Sequence, residues 1–147
     1  MKTLLTSIQT LLRAELTYLK DVFITPDLLV FPEESDYPMI GLLDNGDETI
    51  DREKGMRYER LKVSIGIYQA IAKPEASVIG DGADKGTLDI KDDVMDELRF
   101  VKFTGGYSYP VYIRSSKSQA LETKDFEGFI ALKIIDIEYP NEVVEAT

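Results

Sequence analysis

One stretch near the end of the chain limits the fold more than any other. From Phe126 to Tyr139 an extended strand would carry Ile130, Leu132 and Ile134 on one face and Phe129, Ala131, Ile135 and Ile137 on the other. Successive side chains of a strand point to opposite faces, so a strand that is apolar on both must be covered on both. The pattern predicts a central strand, at least in its first half. An earlier stretch alternates instead: Leu61, Val63, Ile65 and Ile67 lie between Arg60, Lys62, Ser64, Gly66 and Tyr68. It predicts a strand with one face on a core and the other in water or under a partner.

Helical spacing occurs twice. Leu5, Ile8, Leu12, Leu16 and Leu19, with Leu4 and Leu11 beside them, recur at three and four residues and predict a helix over Thr3 to Lys20. Leu88, Val94, Leu98 and Val101 predict a second, from about Thr87 or Asp89 to about Val101, with Asp92, Asp93 and Asp96 on its wet face and acids near its start suiting the helix dipole. Gly105-Gly106 then ends it. Between the helices, Val22–Thr25, Leu28–Phe31 and Met39–Leu43 read as short extended segments punctuated by Pro26, Pro32 and Pro38. Two polar stretches read as flexible loops, at about 44–55 (DNGDETIDREKG) and 79–86 (IGDGADKG). After the second helix come a strand over Val111–Arg114, a serine-rich stretch to Ser118 and the long final strand, with Pro140 and an acidic tail closing the chain.

At 147 residues this is the length of one domain. The expected fold is therefore a single α+β domain over 1–147: a mostly antiparallel β-sheet with two α-helices packed against it, in the order helix, strands, helix, strands. With both helices on one side, the face carrying Tyr68 and the Arg60/Lys62 row meets water or another subunit.

Composition then removes function classes. The chain has neither Cys nor His, so it cannot build a disulfide, a thiolate nucleophile, a Ser-His-Asp triad or a typical zinc site. Its net charge of -10 repels phosphate backbones and disfavours sequence-specific nucleic-acid binding. Apolar runs are too short for a membrane span, and the opening residues are too interrupted for a signal peptide, so a soluble protein made inside a cell is expected, with no membrane partner. The segment Asp81 to Asp92 places an acid first, Gly86 sixth, Leu88 eighth and an acid twelfth, as a calcium loop does. Ala83 and Lys85 stand where oxygen ligands belong. The carboxylates Asp92, Asp93, Asp96 and Glu97 offer acid pairs one turn apart, a spacing that 27 acidic residues also produce by chance. No Gly-Lys-Ser/Thr follows the glycines, so no phosphate loop is read. No catalytic residue, cofactor or metal site is expected. What is left is the acidic loop with Asp44, Asp47, Glu48, Asp51 and Glu53, and the tyrosines Tyr107, Tyr109 and Tyr112, whose composition suits an interface.

Taken in order, the landmarks resemble the tail-terminator (tail-completion) proteins of long-tailed bacteriophages along most of the chain. The resemblance lies in the opening helix LLTSIQTLLRAELTYLKDV, the extended YPMIGLL, and the strand ERLKVSIGIYQAI. It continues in the helix GTLDIKDDVMDEL behind a glycine loop and the closing strand DFEGFIALKIIDIEYP. It implies a homo-hexameric ring on the last ring of the tail tube, which stops tube polymerisation and meets the head-side connector, with DNA passing through the lumen unbound. The place implied is the virion tail or neck, after assembly in the host cytoplasm. The cluster Asp44, Asp47, Glu48, Asp51 and Glu53 is the candidate lumen or inter-ring loop. Arg60, Lys62 and Tyr68 against Tyr107, Tyr109 and Tyr112 are the candidate subunit contact. Neighbouring readings are a head-completion or stopper ring of the neck, a monomeric acidic adaptor or inhibitor, and a carboxylate-dependent, metal-assisted hydrolase.

Overall fold

The structure, a computed structural model, describes residues 1–32, 36–52, 56–71, 74–82, 84–101, 103, 112–122 and 129–144. Its elements are α1 (Lys2–Glu15), β1 (Asp21–Ile24), β2 (Met39–Arg52), β3 (Met56–Ile71), α2 (Pro74–Ile79), α3 (Thr87–Arg99), β4 (Tyr112–Glu122) and β5 (Phe129–Val144). They form an α+β domain around one five-stranded sheet in the order β1-β2-β3-β5-β4, antiparallel except where β1 runs parallel to β2. The described residues hold three helices where two were expected, because Pro74 begins a six-residue helix. A proline in the first turn gives up no hydrogen bond and presets the backbone, so six residues suffice when a neighbour packs on them. None of these helices is long and apolar enough to cross a membrane.

The sheet has two differently covered faces. On one, Leu4, Leu5, Ile8 and Leu12 of α1 and Ile90, Val94 and Leu98 of α3 meet Ile40, Leu42, Leu61, Val63, Ile65, Ile67, Ile135, Ile137 and Tyr139, all buried. The three-and-four spacing of the helices thus meets the period-two rows of β3 and β5. α1 stops at Glu15 rather than Lys20. Lys20 donates its backbone N–H to the carbonyl of Pro38 (2.9 Å) and Asp21 begins the pairing with β2, so the sheet claims backbone groups that a longer helix would need. Leu16 stays buried all the same, in the turn that follows.

The other face carries a smaller core of Met39, Tyr68, Ile130 and Leu132, with Phe23, Phe31 and Tyr37 against it. The segment after β1 provides the cover: Leu28 is buried, and the Tyr68 hydroxyl donates to its carbonyl. Leu28–Phe31 is accordingly a packed turn and not a strand. Glycine makes the close approach possible. A Cβ at Gly41 would lie 2.8 Å from the Phe23 ring and 3.1 Å from that of Tyr68.

Three further expectations change. The segment Asp44–Arg52, read as a flexible loop, is the outer half of β2, paired residue by residue with β3 from Asp47↔Leu61 to Arg52↔Met56. Its turn-forming residues Asn45 and Gly46 sit in a bulge between Asp44 and Asp47, where Asp44 Oδ1 accepts the Gly46 N–H (2.9 Å) and Gly46 takes a φ of 103°. β4 runs through the serine-rich stretch to Glu122, and β5 runs past Pro140 to Val144. Proline is tolerated there because β4 starts opposite Glu138, so that end of β5 has a described neighbour on one side only. The stretch 79–86 is a bonded turn in its described residues: Gly80 N–H reaches Ala76 O (2.8 Å) and Asp84 N–H reaches Asp81 Oδ1 (2.8 Å).

Candidate interaction surfaces

The two sequence-predicted clusters map onto the sheet very differently. Beyond Leu61 and Tyr139, the outermost described residues of the helix-side core, β3 and β5 stay paired for five more rungs, from Arg60↔Pro140 to Met56↔Val144. With the outer half of β2 they form a three-stranded arm. Asp44, Asp47 and Glu48 are exposed on it, and Asp51 lies on β2 opposite Arg57. Glu53 lies outside the described residues. The register separates the acids. Asp44 pairs with Val63 and Asp47 with Leu61, both core-facing, so these two acids share the helix side, whereas Glu48 shares the opposite side with Arg60. On that side Arg60 lies between two carboxylates, Glu48 at 3.8 Å and the buried Glu138 at 3.5 Å.

The predicted contact surface is not brought together. Arg60 is engaged in those ion pairs, Lys62 is half-buried opposite Glu138, and Tyr68 is fully buried under its own chain. From Leu61 to Tyr68, β3 has β2 on one side and β5 on the other, so most of the predicted strand offers no backbone edge to a neighbour; Gln69–Ile71 pair with β5 alone. Tyr112 begins β4 opposite Glu138, and Tyr107 and Tyr109 lie outside the described residues.

Two clefts lie among the described residues. One, of about 410 Å³, is lined by Gly82, Asp84, Lys85, Asp89, Asp92 and Asp93. Two of its acids, Asp89 and Asp93, have structural partners. Asp89 accepts the Gly86 N–H at the start of α3 (3.2 Å). Asp93 accepts from Lys85 Nζ (2.5 Å) and from the Tyr18 hydroxyl (2.7 Å), and the Lys85 ammonium lies 4.6 Å from the Tyr18 ring centroid. Burial raises the Asp93 pKa, but the two donated hydrogen bonds and the Lys85 charge outweigh it and hold the carboxyl below its ordinary value. Burial, the bond to Asp93 and the surrounding carboxylates push the Tyr18 phenol up. The group fastens the turn after α1 to α3, and neither partner titrates near neutrality, where a general acid or base must. Gly86 belongs to the same junction, since a Cβ there would stand 2.3 Å from the Val78 carbonyl oxygen.

The second cleft, about 300 Å³ and mostly apolar, lies between α2 and the sheet, lined by Ile71, Pro74, Val78, Thr87, Ala120 and Ala131 among others, with Ile79 exposed nearby. Sequence reading passed over it because α2 is too short to display helical periodicity. The Pro-Glu-Ala start was the one available signal. No protein-family model matches the chain, and no curated protein matches it in sequence.

Proposed function

We propose that this chain is a ring-forming structural protein of a long-tailed phage, which caps the tail tube, ends its polymerisation and offers a joining surface to the head-side connector. The order of landmarks along the chain carries this reading, and the acidic arm is compatible with it. An arm that turns its Asp44 and Asp47 side to a DNA channel repels the phosphate backbone and lowers sticking, with Glu48 on its other side. Partners under this reading are further copies of the chain, the tail-tube protein and the connector, with no cofactor and no specific DNA contact.

The test is mass in solution by light scattering, with and without assembled tail tubes, followed by imaging of tube lengths. Binding confined to one tube end, with lengths capped, is the expected result. Binding to the portal or adaptor side with no effect on tube length would replace a terminator by a stopper. A monomer that ignores tubes and binds a basic partner in low salt would replace both by an acidic adaptor.

A further inference from the structure

We infer that copies of the chain join head to tail through their sheets, the outer half of β2 in one copy adding to the open edge of β4 in the next. The inference rests on the ring reading above and names the contact that would build the ring. It starts from which strand edges are already used. β3 and β5 have neighbours on both sides over most of their length; the exceptions are Gln69–Ile71 of β3, only three residues, and Tyr139–Val144 of β5, where Pro140 removes a backbone donor. The outer edge of β1 is closed by α1: the Val22 carbonyl accepts from Gln9 Nε2 (2.8 Å) and from Arg13 (2.9 Å), and Arg13 also approaches Asp21 (3.5 Å). Side chains placed on a sheet edge in this way block a further strand.

Two proline-free edges of six and seven residues are left among the described residues, on opposite sides of the sheet. β1 covers β2 only from Met39 to Leu42, so past the bulge the six residues Asp47–Arg52 pair with β3 alone. β4 pairs with β5 alone, and past its own bulge the seven residues Ser116–Glu122 form a ladder of matching length, with Lys117 to Ala120 exposed.

Charge selects the partner. Over these two ladders, Asp47–Arg52 of β2 has three acids and one arginine, a sum of -2, whereas Ser116–Glu122 of β4 has Lys117 against Glu122, a sum of 0. Within a chain of net charge -10, β4 is the strand an acidic strand would meet at least cost. Like charges facing across strands are destabilising, so β2 against β2 is disfavoured relative to β2 against β4, where Lys117 can face the acids.

Direction agrees as well. β2 and β5 run one way, β3 and β4 the other. A copy related by rotation about a ring axis keeps its strand sense, so its β2 arrives antiparallel to β4, the stronger of the two ladders. The open part of β2 lies beside Met56–Leu61 of β3, and that of β4 is level with Ile65–Ile71. That offset is about nine residues, or roughly 30 Å of strand rise. The strands are therefore inclined to the ring axis, as in a closed barrel. Because the two patches differ, the contact is heterologous and propagates until it closes.

The absence of cysteine makes a clean experiment. Thr49 and Ser118 are exposed on the two edges. The double variant Thr49→Cys/Ser118→Cys, treated with a short thiol-to-thiol crosslinker in the presence of tail tubes, is expected to give a ladder of covalent multimers that stops at the ring size. Each single variant should stay monomeric, and an equimolar mixture of the two should stop at a dimer. Lys117→Glu should abolish the ladder with the circular dichroism of the fold unchanged, and adding Glu48→Lys to the same chain should bring it back. Assembly seen by light scattering without a ladder would overturn the contact and leave the ring reading standing. A dimer from Ser118→Cys alone would overturn it in favour of a two-fold β4 pairing. A monomer with and without tubes would remove the ring reading and the contact together.

Discussion

Replacing Tyr68 by phenylalanine tests whether the second face of the sheet is closed by the chain itself. The ring of Tyr68 lies between Phe23 (centroids 5.5 Å apart) and Phe31 (5.0 Å), and its hydroxyl donates to the Leu28 carbonyl. Burial, with Asp27 and Tyr37 adding to it, pushes its pKa up, so the phenol remains a donor at any working pH. Tyr68→Phe keeps the ring contacts and removes only that bond, which leaves a backbone carbonyl in an apolar site. The cost of such an orphaned acceptor is about 1–3 kcal/mol. For a domain of this size each kcal/mol lowers the melting temperature by roughly 2–4 °C, so a fall of about 4–8 °C is expected for a mid-range cost. Thermal unfolding measures it. Amide exchange locates it: the Val30 N–H, bonded to Asp27 O (2.9 Å), should exchange faster, while β3 amides keep their protection. A melting temperature that does not move would refute the argument. So would a fall that depends on protein concentration, since that dependence marks a residue buried by another copy.

Three other substitutions probe separate layers. Leu12→Ala, in the fully buried stripe of α1, should cost about 2–5 kcal/mol in a urea titration with an unchanged slope, by lost transfer energy and the cavity left behind. Gly41→Val should cost at least about 1–3 kcal/mol by overpacking, because its Cβ meets the Phe23 ring at 2.8 Å, and Phe23→Ala in the same chain should recover part of that loss. Asp93→Asn should lower stability near neutral pH by no more than about 1 kcal/mol, since Lys85 and Asp93 are both partly in water. Its pH dependence has a definite sign. The folded pKa of Asp93 lies below the unfolded one, so its contribution is present above the unfolded value of roughly 4 and disappears as the pH falls through the folded value. Stability curves of the two proteins should therefore converge on the acid side and separate towards neutrality.

What could be read from sequence was whatever depends on local periodicity. The apolar rows of α1, β3 and β5 are where their spacing placed them, and with them the α+β class and the central position of β5; α3 buries Val94 and Leu98 as expected but with Ile90, while Leu88 is exposed. These signals hold because the burial of a face is written in the residues of that face alone. The boundaries were decided by pairing. Asp44–Arg52 has the composition of a loop and is a strand because β3 offers its backbone partners on both sides of the bulge at Asn45-Gly46, and the same pairing carries β4 through its serines and β5 past its proline. Which face Tyr68 occupies was legible. That its own chain covers it was not, since the cover comes from Leu28 and Phe31, nearly forty residues away, and depends on two glycines, Gly41 and Gly66, standing side by side in the sheet. The acidic segment was singled out by its charge. Which acids share a side was settled by a one-residue bulge, and which edges of the sheet stay open by two side chains of α1, Gln9 and Arg13, reaching one carbonyl. Local sequence fixes what each face prefers, while hydrogen bonds between distant segments determine how long each strand runs, what covers it and which edge is free.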